Sequence, residues 1–334
     1  MVSIYDIAKE VGVSATTVSR VINNKYASPK TRAKVLRAIK RLDYIPDARA
    51  SGLKTRNNKS IGVIVSDITN PIHPVEVKAI HDVAKERGYY LILGNTYGRL
   101  DEEMEILKMM ARERVAGLIL ATCEGEDDTA CNTYLQKMIN SGVSLVLTGR
   151  KRNGLEADEI VVDNAGGVYK ATSYLLRTGR RKIAFMAGQH GFVAREGRFT
   201  GYLKALSEKG IARNENLISF GNWNKDSGRK QMDNFLKLPE PPDAVFCGND
   251  LMVIGALESI ENAGLNVPED VAVIGFDDIE LASLVRPRLT TVMQFQEKNS
   301  AITCNLLLDR IEQKETGEPK EILIEPELVI RESA

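Results

Sequence analysis

Two carboxylates in a row, Asp277 and Asp278, follow the apolar run "VIGF" late in the chain. A carboxylate pair is common equipment for general acid–base chemistry. Adjacent residues at a strand end point to opposite sides, however, which favours one ligand-binding or capping aspartate over a catalytic couple. Other enzyme signatures are scarce: there is no GxGxxG, no P-loop and no GxSxG elbow. The three histidines, His73, His81 and His190, share no spacing with a metal motif, so neither metal nor cofactor is expected. No nucleophile stands with a base, and the chain reads as a non-enzyme.

A different chemistry is offered near the N-terminus by "GVSATTVSRVIN" (12–23), a stretch with too few large apolar residues for an ordinary core helix. A helix starting with Ser14 and Ala15 and carrying Thr16, Thr17 and Arg20 has a small, polar leading face that fits a DNA major groove. There threonine methyls meet thymine methyls, hydroxyls meet base edges, and arginine meets guanine or phosphate. Lys30, Thr31 and Arg32 open a further helix whose N-terminal dipole assists phosphate contacts. The plainer reading of the threonines is helix surface.

The elements that would hold these residues are locally specified. Ser3 and Asp6 fit a capping box opening a helix to about Glu10, and Gly12 permits a tight turn. Ser14 caps a second helix to about Ile22 with Val18, Val21 and Ile22 as its apolar stripe. Ser28-Pro29 starts a third, with Val35, Ala38, Ile39 and Leu42 at helical spacing up to Tyr44, and Pro46 ends the unit. Helix, glycine turn, helix and packing helix make a helix-turn-helix arrangement over 1–46. Residues 47–54, "DARASGLK", form a short helix capped by Asp47 and too weak to stand alone, followed by a polar linker to residue 60.

Charge separates this head from the rest. Residues 1–60 hold 13 Lys and Arg against 4 Asp and Glu, a balance of +9, and the whole 334-residue chain is neutral, so the body carries −9. A basic head on an acidic body points to a polyanion partner for the head alone, the bland alternative being a solvated basic surface. The composition, 43% hydrophobic and 27% charged, is that of a soluble protein with a sizeable core. No apolar run suits a membrane helix or signal peptide, and Cys123, Cys131, Cys247 and Cys304 form no CxxC pair, so a cytoplasmic protein with reduced thiols is expected.

From Ile61 onward apolar runs alternate with amphipathic ones. Strands are expected at 61–66, 90–95, 117–121, 144–148 and 159–163, then at 182–188, 217–220, 244–249 and 271–276. Helical patterns occupy 73–87, 101–113, 166–178, 195–209 and 250–263. Such alternation predicts parallel sheets covered on both faces. "SIGVIVSDITN" and "KIAFMAGQHG" open the two sets alike, which predicts two βα lobes with a cleft at the strands' carboxyl ends.

"IYDIAKEVGVSATTVSRVIN", "SPKTRAKVLRAIKRLDYIPD" and "ARASGLK" together resemble the headpiece and hinge of the LacI/GalR family of bacterial transcription regulators. The likeness continues through "IGVIVSDITNP", "VAGLIL", "GRFTGY", "GNDLMVIGAL", "GLNVPEDVAVIGFDD" and "RPRLTTVMQ", nearly to the last residue. It implies an all-α helix-turn-helix headpiece on an α/β two-lobed, periplasmic-binding-protein-like core of residues 61–334. The lobes would divide as about 61–161 with 291–321, and about 162–290 with 322–334. The implied function is a sequence-specific regulator, a repressor, binding a palindromic double-stranded operator as a homodimer under a small-molecule effector. No added heptad tail follows "LVIRES", in keeping with a dimer. Ser3 and Tyr5 match the family's phosphate contacts, and Leu53 its minor-groove wedge at the operator centre. Asp47 stands where many members have Asn.

In the cleft, the resemblance places Arg198, Asn249 and Asp277 as polar effector contacts and Trp223 as an aromatic wall, or else as a cap on one lobe. The core is similar to that of purine-responsive members, yet Ile72-His73 replaces their aromatic pair. Phe192 and Ala194 likewise replace their arginine and threonine, which points away from a purine. Thr148 replaces an aspartate common in sugar binders. A less acidic pocket with Arg198 and His73 then suggests a sugar or sugar derivative, acidic and phosphorylated ones included. "ELASLVRPRLTTV" also resembles catabolite-control members that use a phosphoprotein co-regulator. A transporter-type sugar-binding protein would share the core but not the basic head.

Overall fold

A computed structural model describes residues 2–22, 25–44, 59–121, 129–149, 152, 154–188 and 193–334. The chain divides into two compact units, one through Asn58 and one from Lys59 to Ala334.

Among its described residues, the first unit holds three helices: α1 (Ile4–Val11), α2 (Ala15–Ile22) and α3 (Pro29–Arg41). Each start is capped by a side chain. Asp6 N donates to Ser3 Oγ at 3.3 Å while Ser3 N donates back to Asp6 Oδ2 at 2.8 Å, closing the capping box. Thr17 N donates to Ser14 Oγ, and Thr31 N to Ser28 Oγ ahead of Pro29. Gly12 sits at φ +72°, the left-handed conformation that ends α1 and turns the chain into α2. Ile7, Val18, Val21 and Val35 are fully enclosed and, with Ala8 and Ala38, make the core of the unit. α3 stops at Arg41, short of Tyr44, because Asp43 turns left-handed at φ 47°. The expected hinge helix 47–54, with Asp47 and Leu53, lies outside the described residues.

The second unit contains two six-stranded sheets. Its elements are β1 (Ser60–Val65), α4 (Ile72–Glu86), β2 (Tyr90–Asn95), α5 (Leu100–Arg112), β3 (Gly117–Ala121), α6 (Thr129–Asn140), β4 (Ser144–Thr148) and β5 (Asp158–Val162). The chain continues with α7 (Asn164–Arg177), β6 (Ile183–Ala187), α8 (Val193–Glu208), a 3-10 turn (Glu215–Leu217), β7 (Ile218–Phe220), α9 (Lys225–Leu236), β8 (Ala244–Cys247) and α10 (Asp250–Asn262). It closes with β9 (Ala272–Asp277), α11 (Glu280–Leu284), β10 (Thr290–Met293), α12 (Gln296–Ile311), β11 (Glu321–Ile324) and β12 (Glu327–Val329). Strand orders are β11-β5-β4-β3-β1-β2 and β12-β10-β9-β8-β6-β7, parallel throughout except for the antiparallel β10–β12 pair. Helices cover both faces of each sheet, which is why β1, β3, β6 and β8 are buried along their whole length.

The chain passes between the lobes at 162–164, 293–296 and 324–327, a few residues later than the sequence places two of these crossings. β10 belongs to the second sheet, Thr290 aligning with Ile274 of β9, and β11 to the first, Glu321 aligning with Glu159 of β5. Both are four-residue strands of mixed polarity, too short to show a period, and tertiary pairing decides their side. α6, α9 and α12 were also without a clear sequence signal, although Leu306–Leu308 of α12 are buried against the first lobe. Among the described residues, no helix is long and apolar enough to cross a membrane, and no cluster of His, Cys, Asp or Glu is arranged to hold a metal.

Candidate functional site: an inter-lobe cleft and a polar helix face

The carboxyl ends of strands from both sheets line a cavity of about 390 Å³ within the second unit. From the first lobe come Ser66 after β1, Ile72, His73 and Glu76 on the first turns of α4, Tyr97 after β2 and Thr148 at the end of β4. From the second come Arg198 on α8, Trp223 before α9, Asn249 capping α10, Asp277 at the end of β9 and Gln294 after β10. The residues expected in the cleft thus converge on it: Ile72, His73, Thr148, Arg198, Trp223, Asn249 and Asp277. Phe192 and the Ala194 side chain lie outside the described residues.

Arg198 is brought there by glycines. A Cβ at Gly201 would sit 2.2 Å from Ala165 O, and one at Gly197 would sit 3.1 Å from Asn164 Cβ, so α8 lies close on α7. The guanidinium, 6% exposed, donates through Nε to Asn164 Oδ1 at 2.8 Å and through Nη1 to Gly248 O. Its Nη2 is 3.8 Å from Asp277 Oδ1, and its plane lies over Phe276, 3.8 Å from the ring centre. Four fixed contacts immobilise one planar cation.

Asp277 takes an unusual backbone for a non-glycine, φ +115°, followed by Asp278 at φ 53°. The two carboxylates diverge: Asp277 accepts from Gln294 Nε2 at 2.5 Å, while Asp278 pairs with Arg331 at 2.7 Å. Burial pushes the Asp277 carboxyl up to about 6, against the opposing pull of the Arg198 cation and the Gln294 hydrogen bond. Behind it, the fully enclosed Asp250 accepts from Ile279 N at 3.0 Å and Thr291 Oγ1 at 2.6 Å, pinning the turn from beneath.

Trp223 is seated on glycine. A Cβ at Gly188 would fall 2.1 Å from its indole and one at Gly248 would fall 2.8 Å from it, so any side chain there would evict the ring. Asn249 has two structural duties: Oδ1 accepts from Met252 N at 2.9 Å, capping α10, and Nδ2 donates to Trp223 O at 3.0 Å. On the facing wall, His73 Nε2 lies 3.0 Å from Ser66 Oγ and Nδ1 lies 3.1 Å from Glu76 Oε2.

Sequence reasoning missed Ser66, Asp67, Asn70, Glu76, Tyr97, Asn164 and Gln294, all on the cavity wall. Only Glu76, one helical turn from His73, carried a local signal. The wall also corrects the charge expected of the pocket. Its described carboxylates are Asp67, Glu76 and Asp277, against Arg198, which is already engaged, and His73.

In the first unit, Thr16 and Arg20 are exposed on the face of α2 opposite Val18 and Val21, and Tyr5 is 73% exposed. Ala15 is half-buried, Ser14 and Lys30 are exposed, and Ser3 is half-buried within its capping box. Several candidates also serve the fold. Thr17 and Ser14 hydroxyls are 2.9 Å apart, Thr31 and Ser28 hydroxyls 2.8 Å, and Arg32 Nη2 donates to Lys25 O at 3.0 Å.

Residues 3–47 match the family described as bacterial regulatory proteins, lacI family, and residues 172–334 match a periplasmic binding protein-like domain. The HTH-type transcriptional repressor PurR of Erwinia tasmaniensis is 38% identical across 100% of this chain and 97% of its own. Among solved structures, a complex of the transcriptional regulator CelR with cellobiose is 33% identical, with a TM-score of 0.75 and full coverage of both chains. The lac repressor dimer bound to operator and the anti-inducer ONPF is 28% identical, with a TM-score of 0.87, covering 99% of this chain and 98% of the other. The chain therefore belongs to the lacI family of bacterial regulatory proteins and is a DNA-binding transcription regulator, not an enzyme.

Proposed function

We propose that this protein is a cytoplasmic repressor that holds a palindromic operator as a homodimer, its grip set by a neutral sugar or sugar derivative in the inter-lobe cleft. The observation that carries the effector reading is the cavity wall itself. Carboxylates, amides and hydroxyls from both lobes face one another beside an indole, the mixture that orients a polyhydroxylated ring. With three carboxylates against one engaged guanidinium, a neutral effector is favoured over an acidic or phosphorylated one. CelR, a relative of similar fold, is recorded with cellobiose. Thr16, Thr17 and Arg20 read bases, Ser3, Tyr5, Ser14, Ala15, Lys30, Thr31 and Arg32 support them at the backbone, and Leu53 wedges the operator centre.

Isothermal titration of the full chain against neutral sugars, sugar acids, sugar phosphates and purines tests the effector class. A neutral sugar is expected to bind, and tight binding of a purine or a sugar phosphate overturns the reading. A gel shift on random operators at rising salt tests the head, with a steep loss of affinity expected for a phosphate-contacting dimer. No shift at low salt refutes it.

A further inference from the structure

The facing pair His73 and Glu76 contains more than a packing contact. Glu76 lines the cavity and is only 2% exposed, and His73 is 9% exposed. An ionised carboxylate only accepts, so at 3.1 Å the shared proton sits on His73 Nδ1. In a neutral imidazole the other nitrogen is then an acceptor, and the group it meets at 3.0 Å is the Ser66 hydroxyl. Ser66 has a single proton to give, and this arrangement directs it to His73. Its oxygen lone pairs are what remain for anything occupying the cleft.

We infer that Glu76, acting through His73, sets Ser66 as a hydrogen-bond acceptor on the first-lobe wall, making that point selective for an effector group that donates. Ser66 is the specificity-determining contact, and Glu76 and His73 are positioning residues. The selectivity rests on the reading of the cleft as an effector site, whereas the proton arrangement does not. Removing the acceptor at residue 76 moves the imidazole proton to Nε2, reverses the bond to Ser66 and frees its O–H to donate. The polarity of one cleft position is thus decided by a side chain one turn along α4.

The test uses the full chain with 15N-labelled histidine, the His73 signals being identified by their loss in H73Q. The wild type is expected to show Nδ1–H with a proton-free Nε2 at neutral pH. E76Q, whose amide oxygen still accepts, should keep that tautomer, and E76M should switch to Nε2–H. A wild type with Nε2–H or a doubly protonated ring overturns the inference, as does an unchanged tautomer in E76M. Should E76M fail to fold, the wild-type spectrum alone decides. Calorimetry with glucose and its monodeoxyfluoro derivatives, which accept but do not donate at the changed position, then reads selectivity. One derivative should bind about tenfold more weakly than glucose to the wild type, and this ratio should collapse in S66A. An equal ratio in both overturns Ser66 as the selective contact. If every sugar of the wider panel fails to bind, the sugar reading falls, and the tautomer measurement still decides the arrangement.

Discussion

The two walls of the cleft are built by opposite strategies. The second-lobe wall is assembled from residues distant in sequence: Arg198 is held by Asn164, Gly248 and Asp277, and Trp223 rests on Gly188 and Gly248. The hydrogen-bonded cluster on the first-lobe wall is local, since Ser66, His73 and Glu76 fall within one strand end and the first turns of α4. Where contacts are long-range, the same side chains stabilise the lobe and shape the site. Where they are local, selectivity is adjusted with little consequence for the fold.

The sharpest way to break this contrast is Arg198→Ala. It leaves Asp277 enclosed without its cation and should cost about 3–5 kcal/mol of stability, with effector binding lost. Denaturant unfolding and calorimetry measure the two, and a stability cost under about 1 kcal/mol would collapse the distinction between the walls. Next comes pH. The Asp277 carboxyl is raised from its ordinary 3.8 to about 6, so the folded state holds a proton that the unfolded chain has released. Stability therefore falls as pH rises from about 4 to about 6, by up to about 3 kcal/mol from this group. Asp250, also raised by burial and by the neighbouring Asp277 charge, adds a slope of the same sign, so the difference between wild type and Asp277→Asn reads Asp277 together with its pull on Asp250. Parallel stability curves for the two proteins across that window would remove Asp277 as a titrating group.

Smaller again is Gly188→Ala, whose new methyl displaces the Trp223 ring at a cost of about 1–3 kcal/mol. Effector affinity should fall with it, and an unaltered crystal position of the indole would contradict the seat described above. Smallest is Ser66→Ala, with about 1 kcal/mol in stability. A stability loss matching that of Arg198→Ala would show the first-lobe wall to be as deeply built in as the second.

Legibility in the sequence follows the same division. The head was readable because each instruction is local: Ser3 with Asp6, Gly12, Ser14, and Ser28 ahead of Pro29. The buried strands of both sheets were readable from continuous apolar runs. The expected lobe boundaries fall about three residues before the ends of β10 and β11, because four residues carry no period and pairing decides their place. In the cleft, Arg198 and Trp223 come from family likeness, and Asp277 from that likeness together with its place after the apolar run "VIGF". Nothing in the sequence announces that Asn164 and Gln294 meet them, since single polar residues at strand ends look like any loop residue.

Trp223 is the sole tryptophan among 334 residues, and its seat lies on the wall of the inter-lobe cavity. Red-edge excitation of the intact protein therefore illuminates one site, with no background from the head or from either lobe's interior. A molecule that displaces water from the indole face will shift and rescale the entire tryptophan emission. The protein thus carries its own optical gauge of cleft occupancy, readable without a label.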